Sequence, residues 1–252
     1  MLLLLLSFAW ASESFYDFDD DEIAGELVQP DVTAVYAADA PPSADRSPRW
    51  RERRARQLDR RLARGAESSD LVERADLYVL ESRELRLLGY SALDAAWAAG
   101  EGVDADEVEE LVAADLLGER ALNLYERALP DLDGPAALHG AQAAATLLQD
   151  LGRADEAVAA WSRVLRIAPG HARAHVALGD AAFAVVDLMA AQEHLEAARR
   201  DDTFGRYATY KLAWVRFNQG HVEEAAELME GIQGEDMLAR EARRDAERFR
   251  GR

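Results

Sequence analysis

Between residues 138 and 237 one pattern is written three times at an interval of 34 residues, and that period decides what the chain can fold into. Ala157, Ala191 and Ala225 fall in step, followed four residues later by Trp161, Leu195 and Met229. A repeat of this length holds two helices and a turn, and it buries its apolar face only by stacking on neighbouring copies. The expected helix pairs are 138–150 with 154–167, 172–185 with 188–200, and 207–218 with 222–233. Gly152 and Gly220 mark two of the turns, and Val186 stands where the middle copy should have glycine. Small residues at Ala145, Gly179 and Ala213 are expected where paired helices cross, with Leu178 and Leu212 in the core.

The preceding stretch, 70–130, reads as one elongated and degenerate helical hairpin. Leu71, Ala75, Tyr78, Leu85, Leu88, Ala92 and Ala96 recur at helical spacing, and Gly100 with Gly102 breaks the run. Asp104 is placed to cap a second helix over 105–129, with Glu107, Glu109 and Glu110 in its early turns. After the repeats, 235–252 contains a polar helix over 235–249. It reads either as the cap that a repeat stack needs at its open end or as the first half of a further copy.

Before residue 70 the chain changes character. Residues 1–11 form a candidate signal peptide, with an apolar run from Leu2 to Phe8 followed by Ala9-Trp10-Ala11, a small-residue cleavage pattern. The run is too short to span a bilayer. Residues 12–47 read as a linker, first acidic around Phe15, Tyr16 and Phe18, then rich in proline, serine and alanine. From 48 to 64 an arginine-rich helix is expected, with Ser47 and Pro48 at its start and Gly65 at its stop. Its Arg49, Arg53, Arg56 and Arg60 offer three readings: contact with anionic lipid or another polyanion, pairing with acidic parts of this chain, or a solvated charged face.

Composition bounds the chemistry. The net charge of −19 argues against a general nucleic-acid binder, which needs a basic face. The absence of cysteine removes thiolate catalysis, disulfides and zinc–cysteine sites. His171 and His175 stand four apart, a spacing at which two imidazoles share a helix face, but no third ligand accompanies them. A packing or surface role is expected for them, with no metal and no cofactor. No phosphate loop, nucleophile elbow or dinucleotide turn is written in the sequence, so no enzymatic activity is expected.

The three copies resemble tetratricopeptide repeats (TPRs). The resemblance is carried by ADEAVAAWSRVLRIAP, by LGD in AHVALGD, and by nearly all of YATYKLAWVRFNQGHVEEAAELM. It implies an all-α, right-handed α-solenoid of antiparallel helix pairs acting as a protein-binding scaffold. A narrower resemblance, to cell-envelope TPR proteins of Gram-negative gliding bacteria, rests on LGDAAF, YATYKLAWVRFNQG and the arginine-rich AREARRDAERF. It implies an assembly or motility scaffold in the periplasm or envelope, without the anchoring cysteine of lipoprotein relatives.

In such arrays the first helix of each pair lines a concave groove. The groove residues implied here are Tyr207, Tyr210, Lys211, Trp214, Phe217 and Asn218 in the third copy. The second copy supplies Arg173, Val176, Asp180 and Phe183, and the first supplies His139, Gln142, Thr146 and Gln149. Aromatic residues give large contact area with few rotors to freeze, so the third copy is the expected grip on an extended or helical segment of another protein. The competing reading packs Trp214 and Phe217 onto the last helix. Lys211 alone suits a carboxylate clamp of the kind found in chaperone-binding relatives, so no such clamp is expected.

Overall fold

The computed structural model describes residues 48–251. The candidate signal peptide, 1–11, and the linker, 12–47, lie outside the described residues. The fold is all-α among the described residues, and its repeated element is an antiparallel helix pair. Ten α-helices are present among the described residues: α1 (Pro48–Leu62), α2 (Ser68–Ala98), α3 (Glu109–Ala128), α4 (Gly134–Asp150), α5 (Ala154–Ile167), α6 (Ala172–Ala184), α7 (Leu188–Ala198), α8 (Gly205–Asn218), α9 (Val222–Glu230) and α10 (Met237–Arg250). None is long and apolar enough to cross a membrane. Compact packing divides the chain after Pro169, so that α1–α5 form one unit and α6–α10 a second.

In the first unit α1 lies on α2. Ala55 and Leu58 are buried against Leu77, with Trp50 and Leu80 beside them. The arginines of α1 then sort by face. Arg51 reaches Glu84 at 2.7 Å, Arg61 reaches Asp70 at 2.7 Å, and Arg54 pairs with Glu73. Arg49, Arg53, Arg56 and Arg60 remain exposed on the other side. The helix therefore docks by a thin apolar seam flanked by ion pairs to α2.

The long helix α2 pairs with α3. Ser82 donates to the Ala114 carbonyl at 2.8 Å, and at Gly89 an added Cβ would come within 2.6 Å of the Leu111 side chain. The expected helix over 105–129 is interrupted at its start. Residues Ala105–Glu107 form a short 3-10 turn, Val108 is extended (φ −85°, ψ 110°), and α3 begins at Glu109. Extension lets the β-branched Val108 enter the small core made with Leu93 and Leu111. One polar cluster ties α2, α3 and α4 together: the Tyr125 hydroxyl donates to Asp76 at 2.5 Å, and His139 Nε2 lies 3.0 Å from the same carboxylate. The hydrogen bond to Asp76 raises the pKa of His139, favouring its charged form. On α4 rests α5, burying Ala157, Trp161 and Val164.

The second unit has two successive cores. Val176, Leu195, Ala198, Ala208, Leu212 and Val215 close α6, α7 and α8 together. Ala213, Ala225, Ala226, Met229 and Ile232 join Ala239, Ala242, Ala246 and Phe249 to close α8, α9 and α10. Leu178 and Leu212 are buried as expected. At Gly179 the backbone of α6 meets Leu195 so closely that a Cβ would sit 2.8 Å from its Cγ. The second helices end sooner than the spacing suggested, at Ala198 and Glu230. The final helix starts at Met237, where Asp236 accepts a hydrogen bond from the Ala239 N–H at 3.0 Å.

The turn inside each pair is the same device three times. A left-handed residue ends the first helix: Gly152 at φ 69°, Val186 at φ 61° and Gly220 at φ 86°. The next N–H returns to a carbonyl five residues back, from Arg153 to Leu148, Asp187 to Ala182 and His221 to Arg216, each at 2.9 Å. Valine at 186 is thus held in a conformation that sterics deny to β-branched residues. Val186→Gly is expected to raise stability by about 1 kcal/mol, the relief of backbone strain exceeding the entropy that glycine adds to the unfolded chain. Urea unfolding measures this, and an unchanged or lower midpoint would contradict the strain.

Candidate functional site

The row of residues implied for the groove on α8 is split by the helices on either side of it. Tyr207 and Lys211 turn toward α6. The Tyr207 hydroxyl donates to Asp180 Oδ2 at 3.0 Å, and Lys211 Nζ lies 3.2 Å from Asp180 Oδ1. The same ammonium sits 5.5 Å from the centre of the Phe183 ring and 5.8 Å from that of Tyr207, within reach of cation–π attraction. Asp180, Phe183, Tyr207 and Lys211 therefore form one cluster built from two neighbouring first helices. Asp180 accepts from Tyr207 through Oδ2 and lies at ion-pair distance from Lys211 through Oδ1. Phe183 and Tyr207 stay half-buried, with part of each ring open to solvent.

Tyr210, Trp214 and Phe217 turn the other way, onto α10. Phe249 stacks on Phe217 with ring centres 4.2 Å apart and meets Trp214 edge-on at 4.9 Å. The Tyr210 hydroxyl donates to Asp245 Oδ2 at 2.8 Å. The competing reading of Trp214 and Phe217 is thus the one seen: they seat the last helix. A row of aromatic residues along one helix cannot by itself show whether its neighbour belongs to the same chain. Asn218 is exposed and donates to the Trp214 carbonyl at 2.7 Å, within its own helix.

Arg173 and Val176 are each only 8% exposed, so little of either faces solvent. Lys211, expected as the groove's cation, is likewise only 8% exposed and already paired with Asp180. In the first copy His139 is engaged with Asp76, and the Thr146 hydroxyl donates to the Gln142 carbonyl at 2.9 Å. On α1, Arg56 pairs with Glu52 one turn back, and Arg60 Nε donates to the Arg56 carbonyl at 3.1 Å.

His171 and His175 stand four apart but serve separate local contacts. His171 caps α6, its Nδ1 accepting from the Ala174 N–H at 3.2 Å. His175 instead meets His194 of α7, with the two Nδ1 atoms 3.1 Å apart and the rings tilted by 46°. This contact joins residues 19 apart on different helices, and no spacing rule within one helix reveals it. Burial, and then the proximity of His175, lowers the pKa of His194. No group of three or more histidine, aspartate or glutamate side chains among the described residues is placed to hold a metal ion.

Burial pushes Asp245 above the usual carboxylate range, while the Tyr210 hydroxyl pulls it back down. The fold thus prefers this group protonated, and its contribution to stability falls as pH rises through the folded-state pKa. Tyr210→Phe removes the donor and should raise the Asp245 pKa further, moving that fall to higher pH. A carboxyl-carbon NMR titration of both proteins reads the midpoint directly; an unchanged Asp245 midpoint would show that the hydroxyl does not stabilise the carboxylate.

No family model matches the chain, and no curated protein matches it. Among solved structures, the MamA RS-1 ArsTM double mutant is similar at 20% identity and a TM-score of 0.41, covering 77% of this chain and 95% of its own. The DHF58 filament is similar at 18% identity and a TM-score of 0.26, covering 80% of this chain and 91% of its own. At those scores neither structure carries an argument about function.

Proposed function

We propose that the chain is a non-catalytic protein–protein interaction scaffold of the cell envelope, holding an extended or helical segment of a partner protein. The observation that carries this reading is the cluster of Asp180, Phe183, Tyr207 and Lys211. Two half-open aromatic rings flank an ion pair that is already neutralised, so a partner can cover the rings without burying an unpaired charge. Rings presented in this way supply most of the contact energy at protein interfaces. The envelope location is supported by the leader-like start, Leu2 to Ala11, and by the narrower family resemblance.

A second reading has its own support. Arg49, Arg53, Arg56 and Arg60 all face outward from α1, while Arg51, Arg54 and Arg61 are spent on α2. An outward row of this kind suits a peripheral tether to anionic lipid or another polyanion. Its binding would weaken steeply with salt.

The two readings separate in one set of pull-downs from the native envelope fraction, at about 0.1 and 0.5 M NaCl. Phe183→Ala with Tyr207→Ala is the informative groove variant, because Tyr210 and Trp214 also seat α10 and would disturb the fold. The groove reading predicts that this variant loses its partner at both salt levels, while charge reversal of the four arginines leaves binding intact. The opposite pattern favours the tether, and binding unaffected by either change contradicts both.

A further inference from the structure

The contact between His175 and His194 has no counterpart in the other copies. Counting 34 residues back and forward, the position of His175 is held by Ala141 and Thr209, and that of His194 by Ala160 and Leu228. Helix pairing of this kind is therefore achieved twice in the same chain without an imidazole at either place. In the middle copy two imidazoles point Nδ1 at Nδ1 across the α6–α7 seam, 3.1 Å apart. Both rings are half-buried, so they are held in place and still reachable from solvent.

Two facing ring nitrogens at that distance share one proton at most, with one donating and the other offering its lone pair. The spacing also fits a metal bite. Two nitrogens at about 2.05 Å from one ion lie about 3.3 Å apart at a tetrahedral angle, the preference of zinc. At the right angle favoured by copper(II) they lie about 2.9 Å apart. The observed separation falls between the two, so an ion fits the distance once each ring rotates to turn its Nδ1 lone pair from the facing nitrogen onto the metal. Glu193, beside His194 in the chain, adds negative charge nearby.

We propose that His175 and His194 form a two-histidine site for a divalent late first-row transition metal ion, clamping α6 to α7. With two protein donors, the remaining coordination positions are open to water or to a ligand from a partner. Such a site goes beyond the scaffold reading and does not depend on it.

The test is a titration of the full chain with CuCl2 and, separately, ZnCl2, followed by calorimetry and by NMR of the imidazole nitrogens. The expected result for at least one ion is saturable binding of one equivalent, with the His175 and His194 resonances perturbed first. His175→Ala and His194→Asn should each weaken binding about tenfold or more. His221→Ala should leave it unchanged. The asparagine variant keeps a polar group at the contact, and retention of the helical circular dichroism signal identifies a folded protein. The metal should also raise the melting temperature of the parent chain and of neither contact variant. Absence of saturable binding for both ions, or binding that neither contact variant weakens, overturns the proposal.

Discussion

Two helix pairs in this protein close where the backbone of one helix meets a leucine side chain of the other. Leu195 lies against Gly179 at a distance no Cβ could tolerate, and Leu111 does the same at Gly89. Ala145 and Ala213 are wholly buried at the same register as Gly179 in the flanking copies. Alanine and glycine bring helix axes close, and close axes allow single large residues such as Trp161, Leu195 and Met229 to fill the space that remains. The left-handed turn follows from the same constraint. Two helices packed this tightly need a short, sharp connection, and all three copies adopt one even where valine must bear the strain.

The same close packing governs what is left for binding. The aromatic face of α8 is divided between a neighbour on each side, and α10 takes the larger share through Phe249. On the side of α8 that meets α6, Tyr207 stays half-open beside Phe183 of α6, around an ion pair. Charge is partitioned similarly on α1, where a shared apolar seam assigns alternate arginines to α2 or to solvent. In both places the free surface is what remains after intramolecular packing has been satisfied.

The period of 34 made the helix pairs, their turns and their buried alanines legible before any coordinates, because those features depend on local spacing alone. Val186 was legible as an anomaly for the same reason. The pairing of Tyr207 and Lys211 with Asp180 could be anticipated only as proximity, since repeat register places first helices side by side without fixing which partner a side chain chooses. Burial of Arg173 and Lys211 was not legible, because a charged residue in a repeat register reads as exposed until its partners are known. The contact of His175 with His194 was hidden for a related reason: it crosses between two helices, whereas spacing rules compare positions along one. Asp245 is the residue most thoroughly missed. It sits in a helix crowded with arginine and glutamate and is nonetheless nearly buried against Tyr210.

Helix α10 is an integral part of the second unit, seated by Phe249 on Trp214 and Phe217, and it thereby sets the limits of the candidate binding surface. Native-state hydrogen exchange tests this most directly. Amide protection in α10 is expected to be comparable to that in α8, and to be lost from α10 in Phe249→Ala while α6 and α7 stay protected. Unprotected α10 amides in the parent chain, or protection indifferent to loss of the Phe249 ring, would contradict it.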